Sequence, residues 1–336
     1  MRNYLHPLST NPHFKHQKAI FLMLMKRTLN TLSAMLLGIG FTAVSLPAAA
    51  NDLDVLGQFL EQNFPTESDP IGNFIAENPA QQIEMQAAMA GPLLSSQSAL
   101  IMNNKTGEIL YQKNMNRVMP IASISKLMSA MVVLDGGQNL NEEITITSDE
   151  IDRRKGTGSR LSIGTTLTRG QLLHLSLMSS ENRATHALGR TYPGGMGAFV
   201  ADMNKKAQAL GMTNSRFYEP TGLDYRNVST ASDLSKLVSA ASRYSKIRQL
   251  STSNHSSVYT ASGQQNYKNS NALVRDGSWN IELQKTGYIR ESGRSMVVKA
   301  NVQKQPVTII LLNSPSSATR VNDARRIESW MNQRPS

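Results

Sequence analysis

Apolar residues alternate at both ends of the stretch from residue 98 to residue 330 and recur at helical spacing in between. Near its start, Ala99-Leu-Ile-Met102 and Ile109-Leu-Tyr111 flank the polar Asn103-Asn-Lys-Thr-Gly107, the pattern of a hairpin. Near its end, alternation resumes after Trp279, and Met296–Asn301 with Val307–Leu312 predict a second hairpin around Gln305-Pro306. Strands at both ends cover their apolar faces most simply by meeting in one sheet. An α+β fold is therefore expected, an antiparallel sheet formed by both chain ends with an inserted helical lobe, not alternating βαβ units.

The helical signals lie between the strands. After Pro120, Ile124, Leu127, Met128, Met131, Val132 and Leu134 recur at three and four residues up to Asp135-Gly-Gly137, which predicts a buried helix. Thr168-Arg-Gly-Gln171 is a capping box opening a run of leucines. Met196, Phe199, Val200, Met203, Ala207 and Leu210 share a face that Gly211 ends. Thr230-Ala-Ser-Asp233 caps another helix, and Ala324, Ile327 and Trp330 mark a last one.

Three short motifs stand in order across this pattern: Ser123-Ile-Ser-Lys126, Ser180-Glu-Asn182 and Lys285-Thr-Gly287. The first is unique in the chain. The second also occurs at Ser9-Thr-Asn11 and Ser278-Trp-Asn280 and needs its helical context. The third is repeated at Lys105-Thr-Gly107, which reads as the first hairpin's turn. Ser123, at the first turn of its helix, has Lys126 on the same face. A serine hydroxyl becomes a nucleophile when a neighbouring base takes its proton. None of His174, His186 and His255 sits in a triad setting, and His174 reads as a packed histidine of a leucine-rich helix. A lysine can be that base if burial and a second cation lower its pKa; Lys285 is the candidate cation.

Pro120–Asp135, Leu177–Ala184, Glu219-Pro-Thr-Gly-Leu-Asp224 and Gln284–Gly287 together resemble the low-molecular-mass penicillin-binding proteins, the serine D-Ala-D-Ala peptidases. The likeness covers roughly residues 95–332 and is nearest to the D-alanyl-D-alanine endopeptidases of the penicillin-binding protein 7 type. It implies the fold shared by DD-peptidases and serine β-lactamases. It also implies that Ser123 attacks the D-Ala carbonyl of a peptidoglycan cross-link, with Lys126 as general base. Ser180 would relay a proton to the leaving amine, and Asn182 would hold the substrate backbone. Lys285 would supply positive potential, Thr286 would bind the substrate carboxylate, and Gly287 would leave room for substrate along the strand. The N–H groups of Ser123 and Tyr288 would form the oxyanion hole, and Arg320 matches a family arginine near the carboxylate site. No metal or organic cofactor is implied. Peptidoglycan peptides are the implied partner, and β-lactam antibiotics the covalent inhibitors.

A class A β-lactamase would need a carboxylate for deacylation. Glu219-Pro220 resembles that element, but the asparagine expected four residues on is Leu223, so Glu219 reads as structural. D-alanyl-D-alanine carboxypeptidases use the same catalytic set, and many continue into a β-rich module and an amphipathic anchor. This sequence ends six residues after Trp330, which sets the expectation of an endopeptidase. A catalytically silent cell-wall-binding protein would not need all of Ser123, Lys126, Ser180, Asn182 and Lys285.

Residues 1–50 carry five basic residues and no acid, with an apolar stretch at Leu36–Leu46 before Ala48-Ala-Ala50. That is the form of a secretory signal cut after Ala50, and translation from Met23 or Met25 would give it an ordinary length. Residues 51–92 read as an extension or linker able to dock a cell-wall enzyme, 93–332 as the catalytic domain and 333–336 as a tail. The chain has no cysteine, which excludes disulfides, thiol catalysis and an N-terminal lipid anchor. Export without that anchor predicts a periplasmic location. Signal removal would lower the net charge from +11 to +6. No basic run with interleaved aromatics points to nucleic acid.

Overall fold

The computed structural model describes residues 91–334. The expected signal at 1–50 and almost all of the extension at 51–92 lie outside them. Eleven strands appear among the described residues. β1 (Ser98–Asn103) and β2 (Ile109–Lys113) open the chain, and β3 (Met119–Pro120), β4 (Glu143–Thr145), β5 (Thr166–Thr168) and β6 (Val228–Ser229) make small ribbons. The two-stranded β7 (His255–Thr260) and β8 (Gly263–Lys268) precede β9 (Asn280–Ile289), β10 (Gly293–Val302) and β11 (Gln305–Ser314). The helices are α1 (Ser125–Asp135), α2 (Arg169–Met178), α3 (Asn182–Arg190), α4 (Gly195–Ala209), α5 (Ala231–Ala241), α6 (Ser245–Ser251), α7 (Ala272–Arg275) and α8 (Ser317–Gln333).

The main sheet runs β2-β1-β11-β10-β9, all antiparallel. Its seam is the pairing of first and last strands, from Ser98 opposite Leu312 to Asn103 opposite Val307. The two chain ends thus meet as expected. Both faces of the sheet are covered. Ile101, Val298, Ile309 and Leu311 pack with Ala324, Ile327 and Trp330 of α8, whereas Leu100, Val297, Ile310 and Leu312 join the core of the helical lobe. This is why Val307–Leu312 is nearly all apolar instead of alternating with polar residues: its side chains go both ways, and neither way leads to water.

One turn differs from expectation. The second hairpin turns at Gln303-Lys304, with φ of +50° and +64°, and Pro306 lies inside β11 opposite Asn301. Positive φ at both central residues makes the twist of a two-residue turn match that of the strands. The expected caps form: Thr168 and Gln171 bond reciprocally at the start of α2, and the Thr230 hydroxyl accepts from the Asp233 N–H at α5.

The helix after Pro120 is buried on every side, from Ser125 to Val133. Such a helix lacks a polar face because it has no solvent side. It forms the pillar of the lobe, packing against α2, α3, α4 and α5.

Asp323 of α8 ties the two ends together. Its fully buried carboxylate accepts from the N–H groups of Ser95 (3.0 Å) and Ser96 (2.8 Å) and from the Ser96 hydroxyl (2.7 Å). Asp323→Ala removes the acceptor of both N–H groups and of the Ser96 hydroxyl, and leaves the buried Ser96 N–H unsatisfied, at about 1–3 kcal/mol for such a buried donor. We expect a loss of about 3 kcal/mol of unfolding free energy, read by urea titration; a loss under about 1 kcal/mol would show that Asp323 does not hold this junction.

Candidate active site

Ser123 lies in a single 3₁₀ turn, Ala122–Ile124, and not in the α-helix, which begins at Ser125. Ala122 takes a left-handed backbone, φ +47°, a conformation that costs a non-glycine residue about 1–3 kcal/mol. The kink leaves Ser123 partly open at the N-terminal end of the buried helix. Lys126, three residues on, has no solvent exposure. Its Nζ donates to Ser123 Oγ (2.8 Å), Asn182 Oδ1 (2.9 Å) and the Thr221 carbonyl (2.6 Å). Burial lowers its pKa to about 7, against the opposing pull of the Glu219 and Glu181 carboxylates.

Lys285 sits on β9, also without exposure, and donates to its neighbour's carbonyl at Thr286 (2.9 Å). Burial depresses its pKa well below the usual lysine value, and the positive charges of Lys126 and Arg320 depress it further. Lys285 was the candidate second cation for lowering Lys126. Burial is the larger cause for both lysines, and the repulsion between Lys126 and Lys285 is mutual, each disfavouring the other's charged form.

Ser180 lies in the turn between α2 and α3, not on a helix, with φ +65°. Glu181 caps α3, and Asn182 is its first residue. This strained turn carries the motif from one helix to the next and brings Asn182 to Lys126. Thr286 donates to Ser270 Oγ (2.7 Å) and is 6% exposed. Tyr288 is half-exposed, with the Arg294 guanidinium stacked 3.4 Å over its ring.

Arg320 is in the first turn of α8 and is 5% exposed. One guanidinium nitrogen donates to the Ser295 carbonyl (3.0 Å), and Ser295 pairs across the sheet with Gly287. Its Nε has no partner, and among the described residues no carboxylate pairs with it. Burial lowers its pKa to about 10, with Arg294 and Arg275 adding to the effect. A buried, unpaired guanidinium beside the third motif is a place for an anion.

Two glycines set the close approaches. A Cβ on Gly287 would stand 2.8 Å from the Ile121 carbonyl and 3.2 Å from the Ser123 nitrogen. Gly287 thus also lets β9 approach the Ser123 turn itself. A Cβ on Gly222, φ +83°, would fall 1.9 Å from the Ala122 carbonyl oxygen. Gly222 belongs to a loop that sequence reasoning matched but gave no role. Glu219 ties this loop, accepting from the N–H groups of Thr221 (2.7 Å) and Gly222 (2.5 Å) and from the Thr221 hydroxyl (2.5 Å). Its carboxylate is thus engaged by the loop's own donors. Asn227, fully buried, joins the loop to the helix through Ser125 Oγ (3.1 Å) and the Glu219 carbonyl (2.8 Å). Sequence reasoning also missed Thr221 and Ser270. Thr221 acts through a backbone carbonyl, which no side-chain pattern marks.

The family described as D-alanyl-D-alanine carboxypeptidase, peptidase family S11, matches residues 84–316. A D-alanyl-D-alanine endopeptidase of Pseudomonas aeruginosa is 43% identical over 71% of this chain and 77% of its own length. One of Escherichia coli is 41% identical over 71% and 78%. The solved structure of the Streptomyces K15 DD-transpeptidase, 29% identical, superposes with a TM-score of 0.66 over 71% of this chain and 98% of that one.

Gly222→Ala must move the carbonyl of Ala122 and with it Ser123. A misplacement of about 1 Å can reduce a rate roughly 100-fold, so we expect acylation of Ser123 to fall by about that factor. Mass spectrometry of the acylated protein would measure it; an unchanged rate would show that the turn does not depend on Gly222.

Proposed function

The chain belongs to the D-alanyl-D-alanine carboxypeptidase family of serine peptidases, and from that premise we propose that Ser123 cuts D-Ala–diamino acid cross-links of peptidoglycan as an endopeptidase. The observation that carries the chemistry is the 2.8 Å contact between Ser123 Oγ and a fully buried Lys126. With a pKa near 7, that amine is partly neutral at neutral pH and can accept the serine proton.

Neutral Lys126 removes the Ser123 proton as Oγ attacks the D-Ala carbonyl. The N–H groups of Ser123 and Tyr288 face the oxyanion. Each such donor is worth a factor of about 100–1,000 in rate. Collapse breaks the C–N bond, and Ser180 passes a proton to the departing amine. Asn182, already held by Lys126, aligns the substrate backbone. Thr286, Lys285 and Arg320 receive the carboxylate on the leaving side, where an arriving anion satisfies the unpaired guanidinium. Water then releases the acyl group. The endopeptidase names of the P. aeruginosa and E. coli relatives support cross-link cleavage over trimming of a terminal D-Ala. The signal-like pattern of residues 1–50 supports action in the periplasm. Because Glu219 is saturated by loop donors, penicillin forms a long-lived ester on Ser123.

Digestion of purified cross-linked muropeptide dimers beside a Ser123→Ala control tests this reading. Dimers become monomers only with Ser123 present; loss of a terminal D-Ala alone would make the chain a carboxypeptidase. The pH dependence tests the base. Protonated Lys126 cannot take a proton, so kcat/KM rises as pH climbs through about 7. A profile flat from about pH 6 to 9 would remove Lys126 from that role.

A further inference from the structure

The leaving side of the cleft holds more positive charge than one carboxylate needs. Alternate residues of a strand share a face, and so do residues paired across two strands. Thr286 and Tyr288 of β9 therefore lie on one face with their β10 partners Met296 and Arg294. Met296 packs in the cluster that holds Ala324 and Ile327 of α8, so this is the face that α8 covers. Arg320 of α8 reaches the same strands through the Ser295 carbonyl (3.0 Å). Burial first, and then the positive charges of Arg294 and Arg275, hold the Arg320 pKa below its usual value. The three guanidinium groups thus form one neighbourhood around Thr286.

Acids do not balance this charge. Among the described residues no carboxylate pairs with Arg275, Lys285, Arg294 or Arg320. The acids nearest to them along the chain are Asp276 and Glu291, and both are engaged elsewhere. Asp276 accepts from the Ser278 N–H (3.0 Å) and hydroxyl (2.7 Å), and Glu291 pairs with Lys155. Arg275 donates to the Asn269 carbonyl (2.6 Å). Arg294 is half-buried, and its contact is the Tyr288 ring, 3.4 Å from the guanidinium carbon. A guanidinium stacked on an aromatic face is held in place while its edge N–H groups stay available, and they suit a carboxylate.

The carboxylate next to the scissile bond already has Thr286 and Arg320. Trimming a terminal D-Ala releases a residue with that one carboxylate. Cutting a cross-link releases a peptide, whose own terminal carboxylate is a second one. We propose that Arg294, stacked on Tyr288, is a specificity-determining residue that takes a second carboxylate of the leaving group and so favours cross-linked peptides over D-Ala-D-Ala ends. It rests on the reading above that Thr286 and Arg320 receive the first. Arg294 does not touch the reacting atoms, so it selects among leaving groups and takes no part in bond cleavage.

The test uses two cross-linked dimers that both keep the carboxylate beside the scissile bond. They differ only in the terminal carboxylate of the leaving peptide, free in one and amidated in the other. The wild-type chain is expected to favour the free form by about tenfold in kcat/KM, the low end for a charge-assisted hydrogen bond. In the Arg294→Gln variant that ratio falls towards one. Equal rates for the two dimers in the wild type would overturn the proposal and leave the endopeptidase reading standing. A variant that slows both dimers equally and keeps the ratio would also overturn it, since Arg294 would then only support Tyr288. If the chain trims D-Ala-D-Ala ends and cuts neither dimer, the endopeptidase reading fails. The two dimers are then compared as inhibitors of that trimming: about tenfold tighter inhibition by the free form supports the Arg294 contact, and equal inhibition overturns it.

Discussion

Lys126 has to be dry and has to touch Ser123, and much of the molecule is arranged around that demand. An ammonium taken wholly out of water costs several kcal/mol, and a buried amine left without partners would cost more. The protein meets both conditions with three acceptors on separate elements: the serine turn, the first residue of α3 and a loop carbonyl at Thr221. Desolvation then holds the amine near pKa 7, where it can exchange a proton with serine. The same burial that would destabilise an ordinary lysine leaves this one partly neutral near pH 7, the state the proposed general base needs.

The surrounding architecture keeps those elements in register. Helix α1 is buried on all sides and cannot shift without disturbing the lobe. The sheet places β9 against the nucleophile turn at Gly287, and the Glu219 loop closes on the same turn at Gly222. Ala122 and Ser180 hold left-handed backbones at this junction. The surrounding packing sustains that strain because helix, strand and loop meet there with no space for relaxation.

Electrostatics divides the cleft. Lys285 and Arg320 form a buried cationic end next to Thr286, where Arg320 lacks an anionic partner. On the other side of Asn182, Glu150, Asp152 and Glu219 stand with Arg153 and Arg154, and Arg154 is paired with Asp224. The net positive charge of the chain matters too, since a polyanionic wall draws a basic protein towards it.

The sequence by itself determined the class of fold, because short apolar strand-like runs at both ends and helical periods between are local signals of what each segment buries. It also singled out Ser123, Lys126, Ser180, Asn182 and Lys285, which stand in short motifs whose spacing reads directly, and the fold gathers Ser123, Lys126 and Asn182 into one contact. The tertiary structure decided what contact alone creates. Arg320 stands in none of the three motifs, and its burial appears only when α8 packs on the sheet. Thr221 contributes a carbonyl that every residue has, and only the loop's fold aims it at Lys126. The hairpin turn fell at Gln303-Lys304 because cross-strand register from Ser314 to Gln305 set it, and not the local proline. The depressed pKa of Lys126 was decided there too, because desolvation depends on what surrounds a group in space and not on its neighbours in the chain.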